Sequence, residues 1–382
     1  MNFTFSSLFT TTFYSSLLII LVYFMLKKES RIRLVGVRTL ILCILLSLIK
    51  LIFPFEFFCS HNIYLTLVYP KIYQFIKRPI MLFHDKTILP LDILCFVWSV
   101  GIIFFLTKFA VAYIRMSIYI KNLKPIKDQK LYSMLNHMIG KNRKHIHFRF
   151  VSSETRASPF VFGIFRPCIV LPKTFDIDDK NLYFIVSHEI AHYYNGDLIL
   201  KFVLSLLRAV YWWNLFMNLL QNQLIRLLEI NIDKTVTRDW SDSQKLDYLS
   251  CLVESAKDDL TAPCKDEILS FQSGSPLMVS QRVKIMMEDI DAPNKFSLSK
   301  SVALLLLSML LFFIPVFTTF EAWVVPENEQ EIFTINSKNA FFIINENGTY
   351  DIYLDNNYAG TVTEIFDSTI PIKERSTINE IQ

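Results

Sequence analysis

Charged side chains are scarce in this 382-residue chain, 19% against 52% hydrophobic residues, of which 34 are Phe. An ordinary soluble domain carries about 25% charged residues. The deficit excludes a water-soluble globule of usual composition and points to a membrane protein. Six cysteines (43, 59, 95, 168, 251 and 264) are scattered without a C-x-x-C pair, which excludes a disulfide framework and a thiolate zinc site. The net charge of +4 is mild, and no direct nucleic-acid binding is expected. Internal repeats and low-complexity segments are absent.

What the chain does have is long apolar runs. They cover about 5–26, 39–58, 91–114 and 301–320, the last with Pro315 as a tolerable kink. Each is roughly 20 residues, enough to cross the hydrocarbon core. The first ends at Lys27-Lys28, has no basic stretch before it and no small-residue cleavage site after it, and reads as a retained anchor. Lys27, Lys28, Arg31, Arg33 and Arg38 place the first short loop in the cytoplasm. The N-terminus and residues 59–90 are then outside, and the third span returns inside at Arg115. The fourth leads out to a tail with eleven Asp or Glu and three Lys or Arg.

The expected organisation is therefore three spans with an outer loop in 1–115, a cytoplasmic domain in 116–300, a fourth span in 301–320 and an outer tail in 321–382. The class is a membrane protein, mainly α with a small β part. The stretches AFFII and YDIYL, broken by Asn-Gly and Asn-Asn, predict a β element in the tail. The run 198–220 is nearly as apolar as a span, but Lys201 and Arg208 interrupt it. It reads as a helix buried in the domain or lying on the membrane, with a re-entrant piece as the alternative.

Inside 116–300, residues 116–140 look helical and HIHFRFV (145–151) alternates like a half-buried strand. SPFVFGIFRPCIVLPK (158–173) predicts two short strands and a turn. Asp178 or Asp179 can cap a following helix that stops at Asn195-Gly196. That helix carries SHEIAHYYNGD (187–197). His188 and His192 lie at i and i+4, on one helical face, where both imidazoles can reach one metal ion. Zn2+ held there would lower the pKa of a water, and Glu189 is placed to take its proton. The competing reading is a surface helix that happens to carry two histidines.

A peptidase zinc site needs a third protein ligand. Glu229 is the candidate, with Asp233 one turn on and able to hold a ligand imidazole in position; Glu254 competes but lacks such a partner. Asp197 either caps the next helix or orients a ligand, and capping is the favoured role. Lys141, Arg143, Lys144 and His145 read as a solvated loop near a membrane, and Tyr211, Trp212 and Trp213 as interface or core.

PFVFGIFRPCIVLP (159–172), SHEIAHYYNGD, the Trp-Asn of WWNLF and the E-x-x-x-D at Glu229 and Asp233 together carry a resemblance. Over about residues 1–320 the chain resembles the membrane-bound antirepressor metallopeptidases, the β-lactam sensor-transducers. The resemblance implies a gluzincin-like α+β zinc domain with ligands His188, His192 and Glu229 and catalytic Glu189. It also implies an outer signal relayed to cytoplasmic proteolysis of a repressor, with self-cleavage and a homodimer left open. The chain departs from those sensors in its tail. They end in a penicillin-binding domain with an outward S-x-x-K, whereas the tail 321–382 has none and the S-x-x-K at Ser297 to Lys300 lies at the cytoplasmic edge of the fourth span. Direct β-lactam acylation is not expected. A constitutive quality-control protease and a non-catalytic receptor on a zinc scaffold are the alternatives. The intact Glu189 argues against the receptor.

Overall fold

A computed structural model describes residues 4–54, 61–66, 69–83, 86–139, 146–154, 159–173, 180–261, 276–292, 296–322, 340–345, 348–354, 357–363, 365 and 370–373. The chain forms two compact units, Met1–Ala322 and Trp323–Gln382. The first is mainly helical. It opens with α1 (Phe5–Leu26), α2 (Glu29–Val35) and α3 (Val37–Ile52), followed by β1 (His61–Leu65), α4 (Tyr69–Lys77), β2 (Met81–Phe83) and β3 (Lys86–Ile88). Then come α5 (Pro90–Asn122), β4 (Lys124–Pro125), α6 (Gln129–Ile139), β5 (Arg149–Ser153), β6 (Phe160–Phe162) and β7 (Cys168–Pro172). The helices α7 (Lys180–Tyr194), α8 (Asp197–Val210), α9 (Phe216–Val236), α10 (Asp242–Thr261), α11 (Pro276–Asp291) and α12 (Leu298–Phe317) lead to β8 (Thr318–Ala322).

By length and composition α1, α5 and α12 can each cross a membrane, and α2 with α3 makes a fourth if that pair, bent by 87°, is one span. The bend has a local cause. Gly36 separates the two helices at φ +86°, a conformation other residues rarely adopt. The Phe296 ring also stands 3.1 Å from where a Cβ would sit.

The apolar runs and the helices differ at their ends. The second helix stops at Ile52, and 55–58 lie outside the described residues. The fourth stops at Phe317, because Thr318–Ala322 turns extended and pairs in parallel with β1, His61 opposite Thr318. The third overruns its apolar stretch by two turns, to Asn122. Those turns have their own packing. Met116 and Ile120 bury one face of the sheet β4-β5-β7-β6, against Val151, Phe160, Cys168 and Val170. The other face, Phe150, Ile169 and Leu171, takes Leu182, Val186 and Ile190 of α7. These three recur every four residues, the stripe a helix presents to a core. Burying each contributes about 1.5–3 kcal/mol. The stripe fixes α7 so that His188 and His192 point away from the sheet. The two strands expected in 158–173 are β6 and β7, antiparallel, with Val161 opposite Ile169. Asp178, Asp179 and the cluster at Lys141–His145 lie outside the described residues.

The run 198–220 is not one helix. It breaks at Tyr211–Leu215, where Asn214 Oδ1 accepts from Phe216 N at 2.9 Å and so starts α9. Tyr211 Oη donates to Leu51 O at 2.8 Å and Trp98 Nε1 to Val210 O at 2.7 Å. Trp212 lies over Gly101, where an added Cβ would come within 2.2 Å of its ring. α8 and α9 thus form a hairpin whose turn is held by α3 and α5. Beyond it α9 packs on α1, with Gln223 Nε2 donating to Ile19 O at 3.1 Å. The α8–α9 hairpin and the apolar helices therefore share one core, which includes Leu18, Leu40, Leu224 and Leu304.

The second unit is a four-stranded sheet in the order β11-β10-β9-β12, with β9 (Ala340–Ile344), β10 (Tyr350–Leu354), β11 (Asn357–Val362) and β12 (Ile372–Lys373). AFFII is β9 and YDIYL is β10, joined antiparallel through Gly348 at φ +79°.

Candidate metal centre

α7 and α9 pack side by side and bring the HEIAH helix against the carboxylate helix. The two Nε2 atoms of His188 and His192 lie 3.2 Å apart. Glu229 Oε2 is 3.3 Å from His188 Nε2, and Glu229 Oε1 is 3.3 Å from His192 Nε2. A tetrahedral zinc with bonds of about 2.0–2.1 Å sets its ligand atoms about 3.3–3.4 Å apart. Each pair of these side chains holds about that spacing, Glu229 through a different oxygen for each histidine, and one ligand atom from each residue lies within 4.8 Å of the others. The donor set fits the metal. Glu254, the competing ligand, is exposed on α10 and stands outside this group.

Each imidazole is oriented from behind. His192 Nδ1 meets Asp197 Oδ2 at 2.7 Å. Asp197 therefore does not cap: Gly196, left-handed at φ +77°, ends the turn before α8, and Asp197 is that helix's first residue with its carboxylate turned back onto α7. Asp233 lies 3.6 Å from His188 Nδ1, too far for a good bond. Tyr248 of α10 stands between them, its hydroxyl 2.9 Å from His188 Nδ1 and donating to Asp233 Oδ1 at 2.7 Å. Since that hydroxyl gives its proton to Asp233, it accepts one from His188 Nδ1, which leaves the His188 Nε2 lone pair facing the cluster.

Arg282 of α11 completes the group. It binds Asp233 through Nε and Nη2, both at 2.7 Å, and its Nη1 lies 3.1 Å from Glu229 Oε2. Burial disfavours the Glu229 carboxylate, but the charges of His192 and Arg282 outweigh it and hold its pKa well below the ordinary range. Burial likewise opposes charge on His192, yet Glu229 and the hydrogen bond to Asp197 raise its pKa to about 9 in the metal-free chain. Tyr248 is pushed well above its ordinary value by burial and then by Asp233. Tyr248 and Arg282 belong to no spaced motif.

Glu189 takes no part in the ligand group. Its Oε2 accepts from the backbone N–H of Val161, on the edge strand β6, at 3.0 Å. Glu189, the two histidines and Glu229 line a cavity of about 200 Å³, walled by β6, by Phe109 and Tyr113 of α5, by Phe202 of α8 and by Leu252 of α10. The aromatic wall is continuous, with Tyr113 5.1 Å from Phe162 and Phe109 5.5 Å from Phe202 between ring centres.

Residues 77–287 match the family described as BlaR1 peptidase M56. The chain belongs to the M56 peptidases of the BlaR1 type. It is 27% identical over 155 residues to the regulatory protein BlaR1 of Bacillus licheniformis, covering 40% of this chain and 26% of that one. It is 24% identical over 172 residues to BlaR1 of Staphylococcus aureus, covering 42% and 27%. It is 23% identical over 161 residues to the methicillin resistance mecR1 protein of Staphylococcus aureus (strain Mu50 / ATCC 700699), covering 40% and 26%. The chain spans about a quarter of the length of the curated relatives it matches. The family is described as a peptidase, and these relatives are named as a regulatory protein and a methicillin resistance protein.

Proposed function

We propose that this chain is a zinc endopeptidase of the bacterial cytoplasmic membrane that cuts a cytoplasmic transcriptional repressor in response to an outer signal. The observation that carries this reading is the three-ligand group at zinc spacing with Glu189 beside it on an edge strand. The names of the relatives, a regulatory protein and a methicillin resistance protein, support the signalling role.

The reading takes α1, the α2–α3 pair, α5 and α12 as four spans, with the N-terminus and the tail outside and the metal site inside. Two groupings support it. The start of α1, β1, α4 and β8 sit at one end: Ser6 Oγ is 3.1 Å from Tyr69 Oη, and Phe320 N donates to Thr10 Oγ1 at 2.9 Å. The basic α2 sits at the other end with α11, where Arg33 pairs with Glu288 and Asp289.

Zinc, when bound by His188, His192 and Glu229, polarises a peptide carbonyl and acidifies a water. The residues of the chain do the rest. An extended substrate adds to the edge of β6, as strands do, and sets its scissile carbonyl beside the histidines. Glu189 takes the proton from the attacking water and passes it to the leaving amine. The apolar walls exclude bulk water and receive large apolar side chains next to the cut.

The test is Glu189→Gln in the full chain. Cleavage of a co-expressed repressor should fall by about 10²–10⁴ or more, with zinc content unchanged. A repressor still cut at the native rate, or signalling untouched, would favour the scaffold reading.

A further inference from the structure

α11 divides its residues by face. Gln281, Lys284 and Glu288 recur at i, i+3 and i+7, one stripe of a helix, and all three bind the elbow formed by the end of α1 and by α2. Gln281 Nε2 donates to Leu26 O at 3.2 Å, Lys284 Nζ reaches Glu29 Oε2 at 3.4 Å, and Arg33 Nη1 donates to Glu288 Oε2 at 3.0 Å. Arg33 has a side chain only 2% exposed. It also donates to Asp289 Oδ1 at 2.6 Å, to Glu288 O at 2.6 Å and to Ala292 O. A buried guanidinium is costly unless its donors are satisfied, and the described partners of this one all lie at the end of α11. Asp289 also takes Lys234 Nζ of α9 at 2.8 Å. One residue round from this stripe, Arg282 faces the opposite way, onto Asp233 and Glu229.

Arg33 stands on α2, one arm of the α2–α3 pair that bends by 87° at Gly36. α11 thus lies between the bend in the bundle and the ligand group, with polar contacts on both sides. We propose that α11 couples the two: Arg282 is a positioning residue for Glu229 and Asp233, and the grip of Arg33 on the end of α11 sets where Arg282 stands. The coupling rests on the signalling-peptidase reading and gives it an inner route from membrane to metal. The guanidinium fork suits the task, because it can hold two carboxylates in a fixed relation, which a lysine ammonium cannot do. Outer partners of this kind change metal affinity by about 10–100-fold when removed.

The experiment uses the full chain in lipid nanodiscs and reads zinc affinity by chelator competition, together with the visible spectrum of the cobalt-substituted protein. Arg282→Met is expected to weaken zinc at least tenfold and shift the cobalt bands, and Arg282→Lys to recover part of both. Arg33→Met touches no ligand, yet it is expected to weaken zinc and shift the bands in the same direction. Because Arg33 acts through Arg282, the double variant should lose no more than Arg282→Met alone. Losses that multiply in the double variant, or an Arg33→Met protein with native affinity and spectrum, would overturn the coupling. Native affinity in Arg282→Met would overturn the positioning role. If Arg33→Met does not fold, Asp289→Asn, which removes the charge shared by Arg33 and Lys234, carries the same expectation and the same refutation. A native chain that binds no zinc would sink the metallopeptidase reading itself, a result separate from any of these.

Discussion

The Tyr248 hydroxyl sits 2.9 Å from His188 Nδ1 and 2.7 Å from Asp233 Oδ1, so the carboxylate steers its histidine through a phenol. His192 is steered directly, by Asp197 at 2.7 Å. The two metal-facing imidazoles are thus held by different devices.

Tyr248→Phe separates them. The ring keeps its place between Phe184 and Trp240, while His188 Nδ1 loses its acceptor. A buried group left unpaired costs about 1–3 kcal/mol, and zinc affinity should drop by about 10–100-fold. Thermal unfolding with and without zinc measures both. Asp197→Asn, which breaks the other device, should be at least as costly for zinc because His192 has no intermediary.

The raised pKa of His192 gives a pH dependence with a definite sign. Its metal-free folded value of about 9 lies above the ordinary 6.5. The stabilisation from its charged form is therefore fully present below about 6.5 and is lost as pH rises through about 9. Ligation needs the neutral ring, so zinc binding must expel that proton. Affinity should rise about tenfold per pH unit up to that value. Titration calorimetry near pH 7.5 in buffers of different ionisation enthalpy should show about one proton released. A heat that does not vary with the buffer contradicts this.

Gly163 tests the strand that holds Glu189, the proposed general base. It turns the β6–β7 hairpin at φ +97°, and an added Cβ would lie 2.6 Å from Arg166 O. Gly163→Ala should cost about 1–3 kcal/mol and displace β6 from Glu189. Turnover should fall about tenfold or more for each 1.4 kcal/mol of lost alignment. Zinc affinity should stay native, since α7 and α9 do not carry the change. Equal loss of both would place the hairpin in the fold rather than in the chemistry.

Features with a period were legible in the amino-acid order. His188 with His192, and Glu229 with Asp233, are i, i+4 pairs, and the Pro and Gly punctuation of 158–173 marks a hairpin. Features made by distant single residues were not. Tyr248 and Arg282 reach the site from α10 and α11, where neither stands in a spaced pattern. Asp197 looked like a cap because it follows Asn-Gly, but the left-handed Gly196 already ends the turn and frees its carboxylate. Hydropathy could not show that 198–220 folds back at Asn214, since the break is marked by a single local bond, from Phe216 N to Asn214 Oδ1, inside an apolar run. Nor could it show that 318–322 leaves α12 to pair with β1, because both states suit Thr and Phe.

The parallel pair of β1 and β8 has a consequence for how the molecule is made. His61 must wait for Thr318, so nearly the whole of the first unit is synthesised before the ribbon can close. Such distant pairing is slow, because the loop entropy is spent before the contact rewards it. Until then β1 is an edge without its partner, open to pairing with other chains. The last step of assembly at that end is therefore the one that decides whether a nascent molecule stays single, and any factor that delays α12 prolongs the exposure.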